Sequence, residues 1–141
     1  MEAMMETAFR PDALTAVPGG FELRLGLPWI RSMPLSSIIG LAVEVDGGAV
    51  PPGGLAVVLG ARRVPPAALQ EEAGWWFVQD RLVVHCGHGL AGGSHLIAVD
   101  FQLLVPYLQA APGRPLVLPF HVEGRLDPLH AVLPGASRDV A

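Results

Sequence analysis

Lysine is absent from this chain of 141 residues, so all nine of its basic residues are arginine. Charged residues make up only 16% of the sequence, against about 25% in an average globular domain. With a net charge of −4 and no basic run, the sequence excludes a protein that binds nucleic acid along an electrostatic stripe. The shortage of charge has two interpretations: another chain covers part of the surface, or the short turns implied by 17 glycines and 14 prolines need few charges.

Cysteine and long hydrophobic runs are scarce as well. The single cysteine, Cys86, excludes an intrachain disulfide and is typical of a reducing compartment. No apolar run approaches the roughly 18 residues that would cross a bilayer. The acidic N-terminus lacks the apolar stretch of a signal peptide. The sequence therefore predicts a soluble, cytoplasmic protein.

The hydrophobic residues alternate in short segments that glycine and proline separate. Residues 21–27 place apolar and polar side chains on opposite sides, which is the period of a half-buried strand. Further strands are predicted at residues 38–45, 55–59, 75–78, 82–85, 97–105 and 116–126. Turns are predicted at Asp46-Gly47-Gly48 and, as a tight hairpin, at residues 79–81; a short helix is predicted at 66–73.

These signals predict an all-β fold, a single antiparallel β-sandwich of the jelly-roll type. The sandwich domain is predicted over residues 19–127. Residues 1–18 lack periodicity and are predicted to be a partly flexible N-terminal segment, and residues 128–141 a C-terminal tail.

Three histidines and the cysteine lie near one another in the sequence: His85, Cys86, His88 and His95. Imidazole and thiolate are good zinc ligands, which makes a small metal enzyme one hypothesis. The segment lacks the two histidines one residue apart, with a glutamate shortly after, that a metal-binding double-stranded β-helix enzyme would carry. We therefore expect hydrogen-bonded or solvent-facing histidines and assign no metal ligand.

Carboxylates occur singly on the predicted strands, at Glu22, Glu44, Asp100 and Glu123. These are positions of the solvated face of a sheet, and an acid/base pair could form only across strands. Cys86 is a possible nucleophile, but a buried cysteine is usually inert. The sequence therefore predicts no self-contained active site, and no catalytic residue is assigned.

The segment after the first strand is more informative. Pro28 and Pro34 bracket Trp29 and Arg31, and Ser36 follows. Tryptophan and arginine are the residues most enriched at interface hot spots. The same side chains can stack on and hydrogen-bond a sugar. A third interpretation is structural, with Trp29 closing the end of the sandwich and Arg31 paired with a carboxylate.

Residues 21–47 resemble the small beta subunit of bacterial C-glycoside deglycosidases. In that family a strand ending in Leu-Pro is followed by an aromatic pair, an arginine and Pro-Leu-Ser, and then by a strand ending in Val-Asp-Gly. The family pattern is matched by Trp29, Arg31, Pro34, Leu35 and Ser36, while Ile30 stands where a second aromatic residue is typical. The likeness continues more loosely to about residue 125.

The resemblance implies an accessory β-sandwich subunit bound to a larger TIM-barrel alpha subunit. That alpha subunit is similar to a sugar isomerase, holds a divalent metal (Mn²⁺ or similar) and supplies the acid/base residues. The complex cleaves the C–C bond between a 3-oxo sugar and an aromatic aglycone. A 3-keto group acidifies the neighbouring C2–H, so a metal that stabilises the enolate and an acid that protonates the departing aryl carbon supply this chemistry.

The resemblance also implies what this chain itself does. It would hold no cofactor, and Trp29, Arg31, Pro34, Leu35 and Ser36 would lie at the interface with the alpha subunit. The alternative function is a stand-alone carbohydrate-binding β-sandwich without catalysis. Its aromatic platform would have to come from the three tryptophans of the chain: Trp29, Trp75 and Trp76.

Overall fold

Twelve strands and three short 3-10 helices make up the regular structure in the described part of the chain. A computed structural model describes residues 8–29, 31–90, 92–128 and 138–139. The strands are β1 (Leu14–Val17), β2 (Gly20–Gly26), β3 (Met33–Pro34), β4 (Ile38–Val45), β5 (Gly48–Ala49), β6 (Leu55–Leu59), β7 (Arg62–Val64), β8 (Trp75–Trp76), β9 (Asp80–Cys86), β10 (His95–Ala111), β11 (Arg114–Leu126) and β12 (Arg138–Asp139). The 3-10 helices are η1 (Leu35–Ser37), η2 (Pro52–Gly54) and η3 (Pro66–Glu71).

Two main sheets form the sandwich, and the predicted all-β fold is confirmed. The larger sheet has the order β1-β2-β9-β6-β7, and β12 joins it by pairing in parallel with β9. The smaller sheet has the order β11-β10-β4-β5. All the other pairings of both sheets are antiparallel. A separate two-stranded pair joins β3 to β8.

The hydrophobic core lies between the two sheets, where the alternating apolar residues meet. Fully buried side chains come from both sheets: Phe21, Leu23, Leu25, Leu82, Val84, Ile97, Val99 and Leu103. Each large apolar side chain buried in this way stabilises the fold by about 1.5–3 kcal/mol. The alternation that predicted the strands is therefore also what assembles the core.

Several predicted elements are confirmed at or near their bounds. Strands β4 and β6 begin and end where the sequence predicted, and β10 and β11 are longer than predicted. The turn between β4 and β5 is built by Asp46 and Gly47, with φ angles of 50° and 85°, the left-handed values that a tight hairpin requires. The predicted helix is a 3-10 helix that ends at Glu71. No helix in the described ranges has the length and apolar character needed to cross a membrane.

One predicted pairing is wrong. The sequence predicted a hairpin in which residues 75–78 pair with residues 82–85 around a turn at 79–81. In the structure β8 pairs instead with β3, which lies about forty positions earlier in the sequence: Met33 is opposite Trp76 and Pro34 is opposite Trp75. Strand β9 already begins at Asp80 and pairs with β2 and β6. A pairing between distant segments leaves no local signal in the sequence. The short loop between two apolar runs therefore indicated a hairpin that does not form.

The ends of the chain were predicted only as segments without periodicity. Strand β1 lies in the N-terminal segment and extends the larger sheet by pairing with β2. Most of the predicted tail, residues 129–137 and 140–141, lies outside the described residues. The division into segment, domain and tail stays a prediction.

The larger sheet also contains a buried ion pair on its side away from the core. Arg81 of β9 donates a hydrogen bond from Nη1 to Oδ1 of Asp12 at 2.9 Å. Both side chains are almost completely buried, with 3% and 5% exposed. The pair joins the segment before β1 to the central strand of the sheet.

Replacing one partner of this pair should destabilise the fold strongly, because it leaves the other charge buried without its counter-ion. We expect Arg81→Met to lower the free energy of unfolding by about 3–5 kcal/mol in urea denaturation. The matched control is Arg62→Met, which breaks the solvent-exposed pair between Arg62 and Glu72. If Arg81→Met lowers the free energy of unfolding no more than the control does, the buried ion pair does not stabilise the fold as expected.

Candidate functional site

Residues 28–37 form a loop that a second segment holds in place. We call them the proline loop, of which residue 30 is not described, and we call residues 74–78 the tryptophan segment. The two are joined by the β3–β8 pair, by a hydrogen bond from the Leu35 N–H to the Gly74 carbonyl at 3.0 Å, and by one from the Val78 N–H to Ser32 Oγ at 3.0 Å. The proline loop and the tryptophan segment therefore form one structural unit.

The predicted interface residues differ in what they offer a partner. Leu35 is buried, with 2% exposed, and Pro34 and Ser36 are half-buried. Trp29 is also half-buried, whereas Arg31 is exposed. All five lie on one loop, but only Arg31 is exposed. Their role in contacting a partner stays a prediction.

A row of four aromatic rings connects this unit to the smaller sheet. Trp29 packs edge-on against Phe120 with ring centroids 6.0 Å apart. Phe120 stacks on Phe101 at 5.4 Å, and Phe101 contacts Trp76 at 5.8 Å. The expectation that Trp29 closes one end of the sandwich is consistent with this packing, since its ring covers the last phenylalanine of the row.

The tryptophan segment carries the apolar surface that the sequence did not reveal. Trp75, Phe77 and Val78 are 47%, 43% and 46% exposed, next to the proline loop to which they are bonded. Trp76 between them is fully buried, and its Nε1–H donates to the carbonyl of Asp80 at 3.3 Å. The sequence showed an apolar run here, but a run without alternation does not indicate which side chains face outward.

The histidines and the cysteine do not form a site of their own. Among the described residues no group of three or more histidine, cysteine, aspartate or glutamate side chains could hold a metal ion. His95 Nδ1 lies 2.7 Å from Oδ2 of Asp46, and this contact ties β10 to the β4–β5 turn. Cys86 is fully buried, and burial raises the pKa of its thiol to about 12, so it is almost entirely protonated at neutral pH.

The carboxylates predicted to lie on a solvated face include one cluster, on the outer side of the smaller sheet. His121 Nδ1 lies 2.6 Å from Asp100 Oδ1, its partner across the strands, and His121 Nε2 lies 3.2 Å from Glu123 Oε1. The hydrogen bonds to Asp100 and Glu123 raise the pKa of His121. When this ring is protonated, both of its nitrogens donate to carboxylates and neither keeps a lone pair for a metal.

An apolar groove of about 510 Å³ opens between β4, η2 and η3. It is lined by proline, glycine and aliphatic residues, together with Gln70. A groove of this size is large enough for a small ligand, but its lining contains no acid, base or nucleophile. The groove therefore offers an apolar surface for contact.

Comparison with known proteins identifies the family to which the chain is similar. A family model described as C-glycoside deglycosidase beta subunit matches residues 3–107. The chain is 34% identical over 118 residues to the 3'-dehydrocarminate deglycosidase beta subunit of Microbacterium sp., covering 82% of this chain and 89% of that relative. It is 32% identical over 93 residues to the C-glycoside deglycosidase beta subunit of Arthrobacter globiformis, covering 64% and 71%. These matches confirm the resemblance inferred from residues 21–47.

The raised thiol pKa predicts that Cys86 is chemically silent in the folded protein. We expect no reaction with Ellman's reagent at about pH 8 until denaturant is added, because only the thiolate attacks the reagent. The denatured chain, in which the thiol is exposed, is the internal control. Rapid labelling of the folded protein would show that Cys86 is a reactive thiol.

The cluster around His121 predicts a pH-dependent contribution to stability. The folded-state pKa is raised above 6.5, so the stabilisation is fully present below about pH 6.5 and is lost as the pH rises through the folded-state pKa. We expect His121→Gln to lower the free energy of unfolding more at about pH 5.5 than at about pH 9. A difference from wild type that does not change with pH would contradict this reading of the cluster.

Proposed function

Because this chain belongs to the family of C-glycoside deglycosidase beta subunits, we propose that it is the accessory subunit of a complex that cleaves the C–C bond between a 3-oxo sugar and an aromatic aglycone. Its companion, the alpha subunit, is a TIM-barrel protein similar to a sugar isomerase. The proposal is supported by the exposed apolar surface of the tryptophan segment, which lies next to the loop that matches the family pattern.

The proposal assigns the metal and the acid/base residues to the alpha subunit. Among the described residues no group of side chains fits a divalent metal, and both ring nitrogens of His121 are within hydrogen-bond distance of carboxylates. Its proposed role is to hold the alpha subunit's site in shape and to exclude water from it, which favours a reaction with a charged intermediate.

The proposed interface consists of the proline loop and the tryptophan segment. Trp75 and Phe77 supply large rigid apolar surfaces, and Arg31 supplies a planar cation beside them. Tryptophan and arginine are over-represented among the residues whose loss most weakens protein complexes. Because backbone hydrogen bonds already hold the unit together, little conformational freedom remains to be lost on binding.

A second candidate function, a stand-alone carbohydrate-binding sandwich, is favoured by one observation. Trp75 is 47% exposed, whereas Trp76 is fully buried and Trp29 is half-buried against Phe120. Trp75 is thus the tryptophan with the most ring surface for stacking on a sugar. Sugar binding by the isolated chain would favour this function, and assembly with the alpha subunit favours the first.

The test is co-expression of this chain with its companion subunit, followed by sizing of the complex and assay on a 3-oxo C-glucoside. We expect a stable complex whose activity depends on this chain. Arg31→Ala should weaken assembly by about 2 kcal/mol or more, roughly thirtyfold in the dissociation constant, if Arg31 is an interface anchor.

The control is Arg63→Ala, which removes an exposed arginine from β7 at the far edge of the larger sheet. This control should assemble like wild type. If Arg31→Ala and Arg63→Ala bind the companion subunit with equal affinity, Arg31 does not contribute to the interface. A wild-type chain that stays monomeric beside its companion and binds simple sugars would replace the subunit proposal by the second candidate.

A further inference from the structure

The β10–β11 hairpin extends well beyond the smaller sheet. Strand β4 pairs with β10 only as far as Leu103, whereas β11 pairs with β10 as far as Ala111. Residues 104–118 therefore form a two-stranded ribbon, and no third strand of the described residues lies beside it. At about 3.3 Å per residue, the ribbon reaches roughly 20–25 Å past the last pair with β4.

The ribbon is unusually apolar for a solvent-exposed hairpin. Only one of its fifteen residues is charged, namely Arg114 near its tip. Leu108 is 42% exposed and Val117 is 40% exposed. Among the described residues, the large apolar side chains that are exposed lie in two places only, the tryptophan segment and this ribbon.

The base of the ribbon packs on the core, where Val105 is fully buried and Leu116 and Leu118 are partly buried, but the outer part is poorly supported on its own. Two-stranded hairpins are at best marginally stable in water unless a third strand or another surface covers them. Exposed apolar patches on soluble proteins mark sites of interaction. Both arguments indicate that a further surface covers Leu108 and Val117 in the working state of the protein.

The edge of the ribbon is not built for pairing with another strand. Strand β11 is the edge strand of the smaller sheet, and it contains Pro115 and Pro119, opposite Gln109 and Gln102. Proline has no N–H group to donate, and prolines on an edge strand protect it against edge-to-edge association. Pairing of β11 with the same strand of a second copy is therefore disfavoured.

The base of the ribbon adjoins the proposed interface. Leu103, where the ribbon begins, pairs with Ile38, the residue that directly follows the proline loop. Phe120, just beyond the other end of the ribbon, carries the ring of Trp29. The ribbon and the proline loop thus leave the sandwich at the same end, and a partner seated on one is within reach of the other.

We propose that residues 104–118 are a second docking element for the companion subunit. Leu108 and Val117 pack on an apolar surface of that subunit, and Arg114 pairs with a carboxylate there. The inference rests on the proposed function, because it takes the companion subunit as the occupant, but it concerns residues outside the proline loop and the tryptophan segment.

The test compares two double variants of this chain for binding to the companion subunit. The ribbon variant is Leu108→Ser with Val117→Thr, in which threonine keeps the branched shape that suits a strand. The control is Val58→Thr with Arg63→Ala, at half-buried and exposed positions of β6 and β7 in the other sheet. We expect the dissociation constant to rise at least about tenfold for the ribbon variant and to stay within about twofold of wild type for the control. Arg114→Ala should weaken binding in the same direction.

Hydrogen exchange on wild type provides a readout that needs no variant to fold. We expect the amides of residues 104–118 to exchange about tenfold more slowly in the complex than in the free chain, since covering the ribbon suppresses its local opening. Thermal unfolding of each free variant checks that it is folded.

The outcomes separate the two proposals. A complex that Arg31→Ala weakens, but in which the ribbon variant binds like wild type and the ribbon amides are unprotected, overturns the docking element and leaves the proposed function standing. A wild-type chain that does not assemble overturns the proposed function and the ribbon's occupant together. Self-association of the isolated chain that the ribbon variant abolishes would make a second copy the occupant and would overturn the proposal.

Discussion

Burial of the Trp76 ring is the constraint on which the arrangement of the candidate interface depends. In a strand, neighbouring side chains point to opposite sides, so placing Trp76 against Phe101 in the core sends Trp75 outward. The same short strand pairs with β3 and thereby places the proline loop alongside. The core contact of Trp76 and the exposure of Trp75 thus both follow from the alternation of side chains along β8.

The aromatic row extends this constraint across the end of the sandwich. Phe101 and Phe120 are directly opposed in the β10–β11 register and stack. Trp29 rests on Phe120, so the proline loop is attached at one end to the tryptophan segment and at the other to the smaller sheet. A loop attached at both ends has few alternative conformations, and this explains how a segment with little regular structure can present a defined surface.

The sequence could predict the parts of the fold that depend on local periodicity. Alternation identified β2, β10 and β11, and apolar segments bounded by glycine or proline identified β4 and β6. The Asp46-Gly47 pair identified the tight turn. Each of these signals lies within a few neighbouring residues. Strands β3 and β8 contain two residues each, too short to show a period, and they form only because distant segments meet. The hairpin predicted at residues 79–81 failed for that reason.

The same distinction applies to the candidate site. The proline loop could be singled out because Trp29, Arg31 and Pro34 lie within six positions of one another. The tryptophan segment was visible only as an apolar run, since its exposure follows from pairing with residues about forty positions away. Sequence reasoning could therefore find one half of the surface, and only the structure joins it to the other half.

The two halves of the candidate interface and the ribbon combine different physical properties. The proline loop with the tryptophan segment is held by hydrogen bonds and ring contacts before any partner arrives, so it can define the orientation of the partner at a small entropic cost. The outer part of the ribbon, beyond the core residue Val105, has no third strand of the described residues beside it, and it gains most from being covered. A preformed surface that sets the register, beside an apolar arm that adds contact area, suits the accessory role proposed for this chain. Burial holds the thiol of Cys86 protonated and His121 lies between two carboxylates, so the contribution proposed for this chain is the surface that it presents.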